Sequence, residues 1–321
     1  MKLGVFTVIL GDLPLDQALA YLKSQGVQEL EIGVGGNPGT AHGDAKKFLA
    51  DPAELEKFKA TVTASGLKIA ALSVHGNPVH PNAKIARQDH EDFEAAVLVA
   101  EKLGVQTVVT FSGCPGDSDT ATYPNWVVAS WPTEHQIVKE WQWNEKLIPY
   151  WKQAGKFAED HGVRIAIEMH PGFNVYNPST LLRLREAVGP VIGANFDPSH
   201  LFWQQIDPVA AIRVLKGAIH HFHAKDTKID PCNCAVKGVL ETSKLDSLGE
   251  RPWIFRSVGY GHGEETWRAI FSELRLAGYN GIISIEHEDG LMTPKEGLEK
   301  AIEVLKRTII FEDDQVNMFW A

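Results

Sequence analysis

Glu168, Asp197, His223 and Glu286 close four short apolar runs of this chain, RIAIEMHP, IGANFDPSH, IHHFHAKD and GIISIEHED. Runs of this length, rich in Ile, Val and Ala, read as buried parallel strands. In a parallel α/β protein the C-terminal strand ends gather at one face, and ligands bind there. Three carboxylates and an imidazole converging at that face form a mixed oxygen and nitrogen set suited to Mn²⁺, Mg²⁺, Co²⁺ or a related cation. A single strand-end carboxylate is more simply explained as a helix cap or an ion-pair partner. Four at matching positions are poorly explained by packing, because an isolated buried carboxylate is very costly.

Side chains two apart on a strand share a face. Glu168 is thereby grouped with His170, His223 with His221 and Lys225, and Glu286 with Glu288. His200, in DPSH, is placed to hydrogen-bond a substrate hydroxyl or a ligand carboxylate. Lys225 offers a cation for an oxyanion or for neutralising the acidic cluster. Asp226 is expected to orient His223 or Lys225, and His75, in VHGNPVHP, faces the same mouth. His170, His75, His200, Lys225 and Asp226 are the expected substrate-binding set; His221, His262 and His287 are weaker candidates. The phosphate-binding patterns G-x-x-x-x-G-K-[ST] and G-x-G-x-x-G after the first strand are absent, as is the nucleophile elbow G-x-S-x-G.

The elements that must position these residues alternate from start to end. Strands are expected at 3–9, 29–35, 68–76, 107–113, 164–170, 192–197, 219–226 and 281–288, with a helix after each. Pro52 behind Asp51 and the Gly stops at 26, 66 and 104 mark helix limits. Eight strands and eight helices in strict alternation predict a single (β/α)₈ TIM barrel spanning residues 1–321. Two long irregular segments are expected after strands four and seven, at 114–142 and 227–264. The first carries Trp126, Trp131 and Trp141, with Trp143 just beyond, either packing the loop down or forming a ring-stacking wall over the site. The tail after Phe311 turns acidic and then aromatic (Met318, Phe319, Trp320) and suggests docking on the barrel or on a neighbouring subunit.

The 321 residues are 44% hydrophobic and carry a formal net charge of −10, without a long basic run. That opposes a nucleic-acid surface. Three cysteines, Cys114, Cys232 and Cys234, do not make a disulfide framework and fit a reducing compartment. The start, MKLGVFTVIL, reads as a strand, too short to span a bilayer and without a small-residue cleavage site. A soluble, cytoplasmic protein with no membrane partner is expected.

Glu168, Asp197-Pro-Ser-His200, His223-Ala-Lys-Asp226 and Glu286, with GNPVHP, GYGHGEETW and GYNGIISIEHED, resemble the xylose isomerase-like TIM-barrel superfamily. The branch resembled is the sugar (phosphate) isomerase/epimerase group, which includes ketose 3-epimerases and inosose-processing enzymes. The resemblance implies one divalent metal, Mn²⁺ first and Mg²⁺, Co²⁺ or Zn²⁺ as alternatives, held by Glu168, Asp197, His223 and Glu286. It also implies that Glu168 and Glu286 act as an acid/base pair on opposite faces of a sugar or keto-sugar, through a metal-stabilised enediolate. The expected reaction is epimerisation or isomerisation. A lyase acting on 3-keto-glycosides with the same enolising step, and a non-catalytic sugar-binding subunit, are the alternatives. The related abasic-site endonucleases fit poorly, since strand four ends in Ser112 rather than His. The two long inserts depart from the short epimerases and leave the sugar open.

Overall fold

Eight parallel strands close on themselves in the order β1 (Lys2–Phe6), β2 (Glu29–Gly33), β3 (Lys68–Ser73), β4 (Thr107–Phe111), β5 (Arg164–Glu168), β6 (Ile192–Phe196), β7 (Ile219–Ala224) and β10 (Ile282–Ile285), and β10 pairs back onto β1. This is the expected (β/α)₈ barrel, seen in a computed structural model that describes residues 1–312. The acidic and aromatic tail with Met318, Phe319 and Trp320 lies outside the described residues. Among the described residues no helix is long and apolar enough to cross a membrane.

The helices are α1 (Leu15–Ser24), α2 (Ala45–Ala50), α3 (Pro52–Ser65), α4 (Ala83–Leu103), α5 (Thr133–Trp141), α6 (Ile148–Asp160), α7 (Pro178–Val188), α8 (Pro198–Trp203), α9 (Pro208–Val214), α10 (Pro231–Lys237), α11 (Glu264–Leu276) and α12 (Pro294–Thr308). Local chemistry sets several of their limits. Asp51 accepts from the Ala53 N–H ahead of α3, and Gly66, at φ 70°, ends it in the left-handed conformation that glycine tolerates best. Asn177 and Thr180 form a reciprocal capping pair at the start of α7.

Three expectations need correction. The first strand stops at Phe6 and passes into a 3₁₀ turn over Thr7–Leu10. The segment 114–142 holds α5, which runs through a π-helical stretch, Gln142–Leu147, into α6. The segment 227–264 is not irregular either. Its β8 (Asp226–Ile229) and β9 (Trp253–Arg256) form an antiparallel pair, with Asp226 opposite Arg256 and Ile229 opposite Trp253. The periodicity is weak in both: α5 (TEHQIVKEW) has few apolar residues to carry a helical period, and β8 (DTKI) and β9 (WIFR) are only four residues long.

Most of the apolar core lies between strands and helices, while Ala71, Val109 and Ala166 fill a small patch inside the barrel. Trp151 of α6 is fully buried, packs edge-on against Phe93 and Tyr150, and donates its indole N–H to the Ser112 carbonyl at 2.9 Å. It ties α6 to the chain just past β4. Trp151→Ala is expected to lower stability by about 3–5 kcal/mol, read as a fall in the urea midpoint at unchanged slope.

Candidate metal and proton-transfer site

Glu168 is the last residue of β5, His223 lies in β7, and Asp197 and Glu286 follow β6 and β10 by one residue. One ligand atom from each of the four lies within 4.8 Å of the others. His223 Nδ1 is 3.0 Å from Glu286 Oε2 and 3.4 Å from Glu168 Oε2. Asp197 Oδ2, His223 Nδ1 and Glu286 Oε2 are buried, and beyond their ion-pair contacts with Lys225 and with one another no hydrogen bond is directed at them. Buried polar atoms left without a hydrogen bond are rare. Three of them facing one point, beside the Glu168 carboxylate, fit a divalent cation bound by three oxygens and one nitrogen.

The orientation of each ligand has a local cause. Asp197 is the N-cap of α8: its Oδ1 accepts from the Ser199 N–H at 2.8 Å, which leaves Oδ2 for the site. The capping role and the ligand role are therefore compatible. Glu168 Oε2 accepts from Asn195 Nδ2 and meets His75 Nε2, each at 3.0 Å, while Oε1 is 3.3 Å from His200 Nε2. Lys225, fully buried, sets its ammonium 2.8 Å from Glu286 Oε2, 2.9 Å from Glu288 Oε2 and 3.1 Å from Asp197 Oδ2.

These charges shape one another. Burial pushes the Glu168 carboxyl up, but His200, His223 and His75 outweigh it and hold it well below the usual range. Burial likewise opposes the Glu286 carboxylate, and Lys225 and His223 bring it down to about 2. For Asp197 burial prevails and the carboxyl is raised. The carboxylates overcome burial at His223 and at Lys225, holding both well above their ordinary values. His200 is lowered by burial and by the neighbouring His170.

The structure thus brings His75, His170, His200 and Lys225 together with the quartet. Asp226 is placed differently. Its carboxylate accepts from the N–H groups of Thr227, Gly259, Gly261 and His262 and from the His262 ring, all at 2.8–3.1 Å. It anchors the segment before α11, whereas Lys225 is held by Asp197, Glu286 and Glu288 and His223 by Glu31.

Sequence reasoning missed Glu31, Asn195 and the aromatic wall. Phe111 lies 4.5 Å from His75 and 4.9 Å from His170 and stacks on Phe173 at 4.3 Å. Phe255, delivered by β9, sits edge-on to His200 at 5.3 Å with the Lys225 ammonium 4.8 Å above its ring. The tryptophans of the first insert have other partners: Trp143 is buried beneath Arg183, Trp141 carries Lys146, Trp126 meets Tyr176 edge-on, and Trp131 is 80% exposed. A signal for Glu31 did exist. In ELEIGVG it is an acid flanked by Leu30 and Ile32 within an otherwise apolar strand, although it does not stand at the strand's end as the quartet does.

A closed eight-stranded parallel barrel defines a TIM-barrel protein, here with an acid-rich quartet at the C-terminal strand ends spaced so that it could hold a metal ion. The sequence profile described as xylose isomerase-like TIM barrel matches residues 19–308, and the chain belongs to that family. It is similar to YfiH, an uncharacterised protein of Bacillus subtilis (strain 168), with 37% identity over 312 residues covering 96% of this chain and 99% of that one. An inosose dehydratase of Mesomycoplasma hyopneumoniae (strain J) is 25% identical over 307 residues, covering 93% and 90%. Among solved structures, a D-tagatose 3-epimerase-like protein superposes with a TM-score of 0.64 at 18% identity, covering 96% of this chain and 98% of that one. This last likeness is one of fold.

Proposed function

We propose that this chain is a divalent-metal-dependent enzyme that removes a proton beside the carbonyl of a sugar or keto-sugar and returns it, as an epimerase or isomerase. The observation that carries the reading is the placement of two carboxylates, Glu168 from β5 and Glu286 from beyond β10, about the single His223 nitrogen. Bound at the quartet, a divalent cation, with Mn²⁺ as our first choice, would supply Lewis-acid polarisation of the carbonyl and its neighbouring hydroxyl.

The chain's own groups do the rest. One of the two glutamates takes the α-proton and the other returns a proton from the far face, inverting the centre; return to the adjacent carbon instead exchanges aldose and ketose. His75 and Asn195 fix the Glu168 carboxylate from below. His200 and His170, with ring centroids 4.0 Å apart, present imidazole nitrogens for substrate hydroxyls. Phe111 and Phe255 exclude water from the reacting carbons and offer flat surfaces to the C–H face of a sugar.

A second outcome of the same first step is loss of a β-hydroxyl or β-glycosyl group. The Lys225 ammonium, 2.8 Å from Glu286 and 3.1 Å from Asp197, favours it as a fixed cation for the negative charge that develops on a departing oxygen. The inosose dehydratase relative, which spans nearly the whole chain, is consistent with it.

Both outcomes are tested together. Incubated with Mn²⁺ and a panel of ketoses, inososes and 3-keto-glucosides in D₂O, the protein is expected to exchange a C–H beside the carbonyl for C–D, and chelation by EDTA is expected to stop exchange. A substrate recovered with an inverted or relocated centre marks an epimerase or isomerase; an unsaturated ketone marks a lyase. Stoichiometric metal without exchange on any member of the panel sinks the proposed chemistry.

A further inference from the structure

We propose that Glu31 is the positioning residue that decides which nitrogen of His223 faces the metal site, an inference that rests on the quartet reading above. Glu31 lies in β2, across the barrel from β7, and is completely buried. Its carboxylate is surrounded by donors from three other strands. Ser73 of β3 donates to Oε1, Ser284 of β10 donates to Oε2 at 2.6 Å, and His221 Nε2 meets Oε2 at 2.9 Å. His223 Nε2 lies 2.9 Å from Oε1 and 3.0 Å from Oε2.

An ionised carboxylate can only accept hydrogen bonds. His223 therefore carries a proton on Nε2, and in the neutral ring Nδ1 is the nitrogen left to ligate. Nδ1 is the atom that faces Glu168 and Glu286. Phe6 stacks on the same imidazole at 5.7 Å and 26°, so ring plane and proton position are both fixed. Carboxylate–histidine–metal chains of this kind set ligand orientation and basicity.

The spacing of Glu31, His221 and His223 would also admit an ion of its own. The hydroxyls of Ser73 and Ser284 argue for a hydrogen-bonded clamp instead, because they already occupy the carboxylate alongside both imidazoles. One ion per chain is therefore expected rather than two.

A glutamine at this position has the same shape but presents an amide N–H₂. Its one uncharged carbonyl oxygen replaces two carboxylate oxygens shared by Ser73, Ser284, His221 and His223, so the charged acceptor that holds the His223 proton on Nε2 is lost. The test is Mn²⁺ titration calorimetry on wild type, Glu31→Gln and Glu31→Asp, with a ¹⁵N-histidine spectrum of the Zn²⁺-loaded wild type. Expected are one ion per wild-type chain, about 10–100-fold weaker binding in Glu31→Gln, partial recovery in Glu31→Asp, and a His223 that keeps Nε2–H when loaded. Binding by Glu31→Gln within about twofold of wild type, a His223 protonated on Nδ1, or a second ion lost with Glu31 overturns the inference. If Glu31→Gln does not fold, the Zn²⁺-loaded spectrum decides alone. A wild type that binds no cation instead removes the quartet reading on which this one stands, and that failure is seen before any variant is compared.

Discussion

Glu168→Gln is expected to lower α-proton exchange by about 10³-fold or more while the protein stays folded. Glutamine fills the same volume between β5 and its neighbours, so the barrel has no reason to open. What is lost is a charge with two uses. In the proposed reaction the carboxylate would contribute about 10²–10⁴-fold as a base, and as an oxygen ligand it would help hold the cation that polarises the carbonyl. A 10³-fold loss corresponds to about 4 kcal/mol of transition-state stabilisation. Three imidazoles, His75, His200 and His223, are left facing a neutral amide. Glu286→Gln is expected to lose exchange to a similar degree, because the reaction needs both faces. The assay is deuterium incorporation at saturating Mn²⁺, with circular dichroism as the folding control. Exchange within tenfold of wild type in either variant would remove that glutamate from the proposed pair.

Asp226→Ala is expected to act on stability, at about 3–5 kcal/mol, the range seen when one member of a buried charged, hydrogen-bonded set is removed. The carboxylate is fully buried and gathers the backbone N–H groups of Thr227, Gly259, Gly261 and His262. Without it those donors face no acceptor, at the full desolvation cost of each. The approach is close: a Cβ on Gly261 would collide with the Thr227 carbonyl and the Asp226 carboxylate. Fast amide exchange at Gly259, Gly261 and His262, together with a lower urea midpoint, is the expected signature. Unchanged stability with a raised KM would restore Asp226 to the substrate contacts expected from sequence.

The barrel was legible because its signals are local and repeat. Each strand is a short Ile-, Val- and Ala-rich run, and each helix has its own stop, as at Gly66 and Gly104. The quartet was legible because acids and His at strand ends stand out against apolar neighbours. The expected strand C-termini run too far, since the residues after Ser73 and Phe111 stay buried after ladder pairing stops and those after Phe6 stay largely apolar. Glu31 carried a weak signal, an acid flanked by apolar residues, but its role escaped because its partners are 42 to 253 residues away. Phe255 escaped for a related reason. Its side chain reaches His200 through an antiparallel pairing of β8 with β9 that only the folded chain displays.

In the proposed enzyme that hairpin would separate what reacts from what is chosen. The quartet sits on or one residue beyond barrel strands, whose spacing is fixed by the closed sheet. Phe255 arrives on a ribbon held by Trp253 stacking on Trp203 at 4.6 Å and by the Arg251 guanidinium over the Trp253 ring. Exchanging residues 230–252 would alter the rim without moving any ligand, and exchanging β9 would replace the surface a bound molecule rests on. The architecture is that of a tool with a fixed blade and a detachable handle, and any redesign of what the rim admits would begin at the handle.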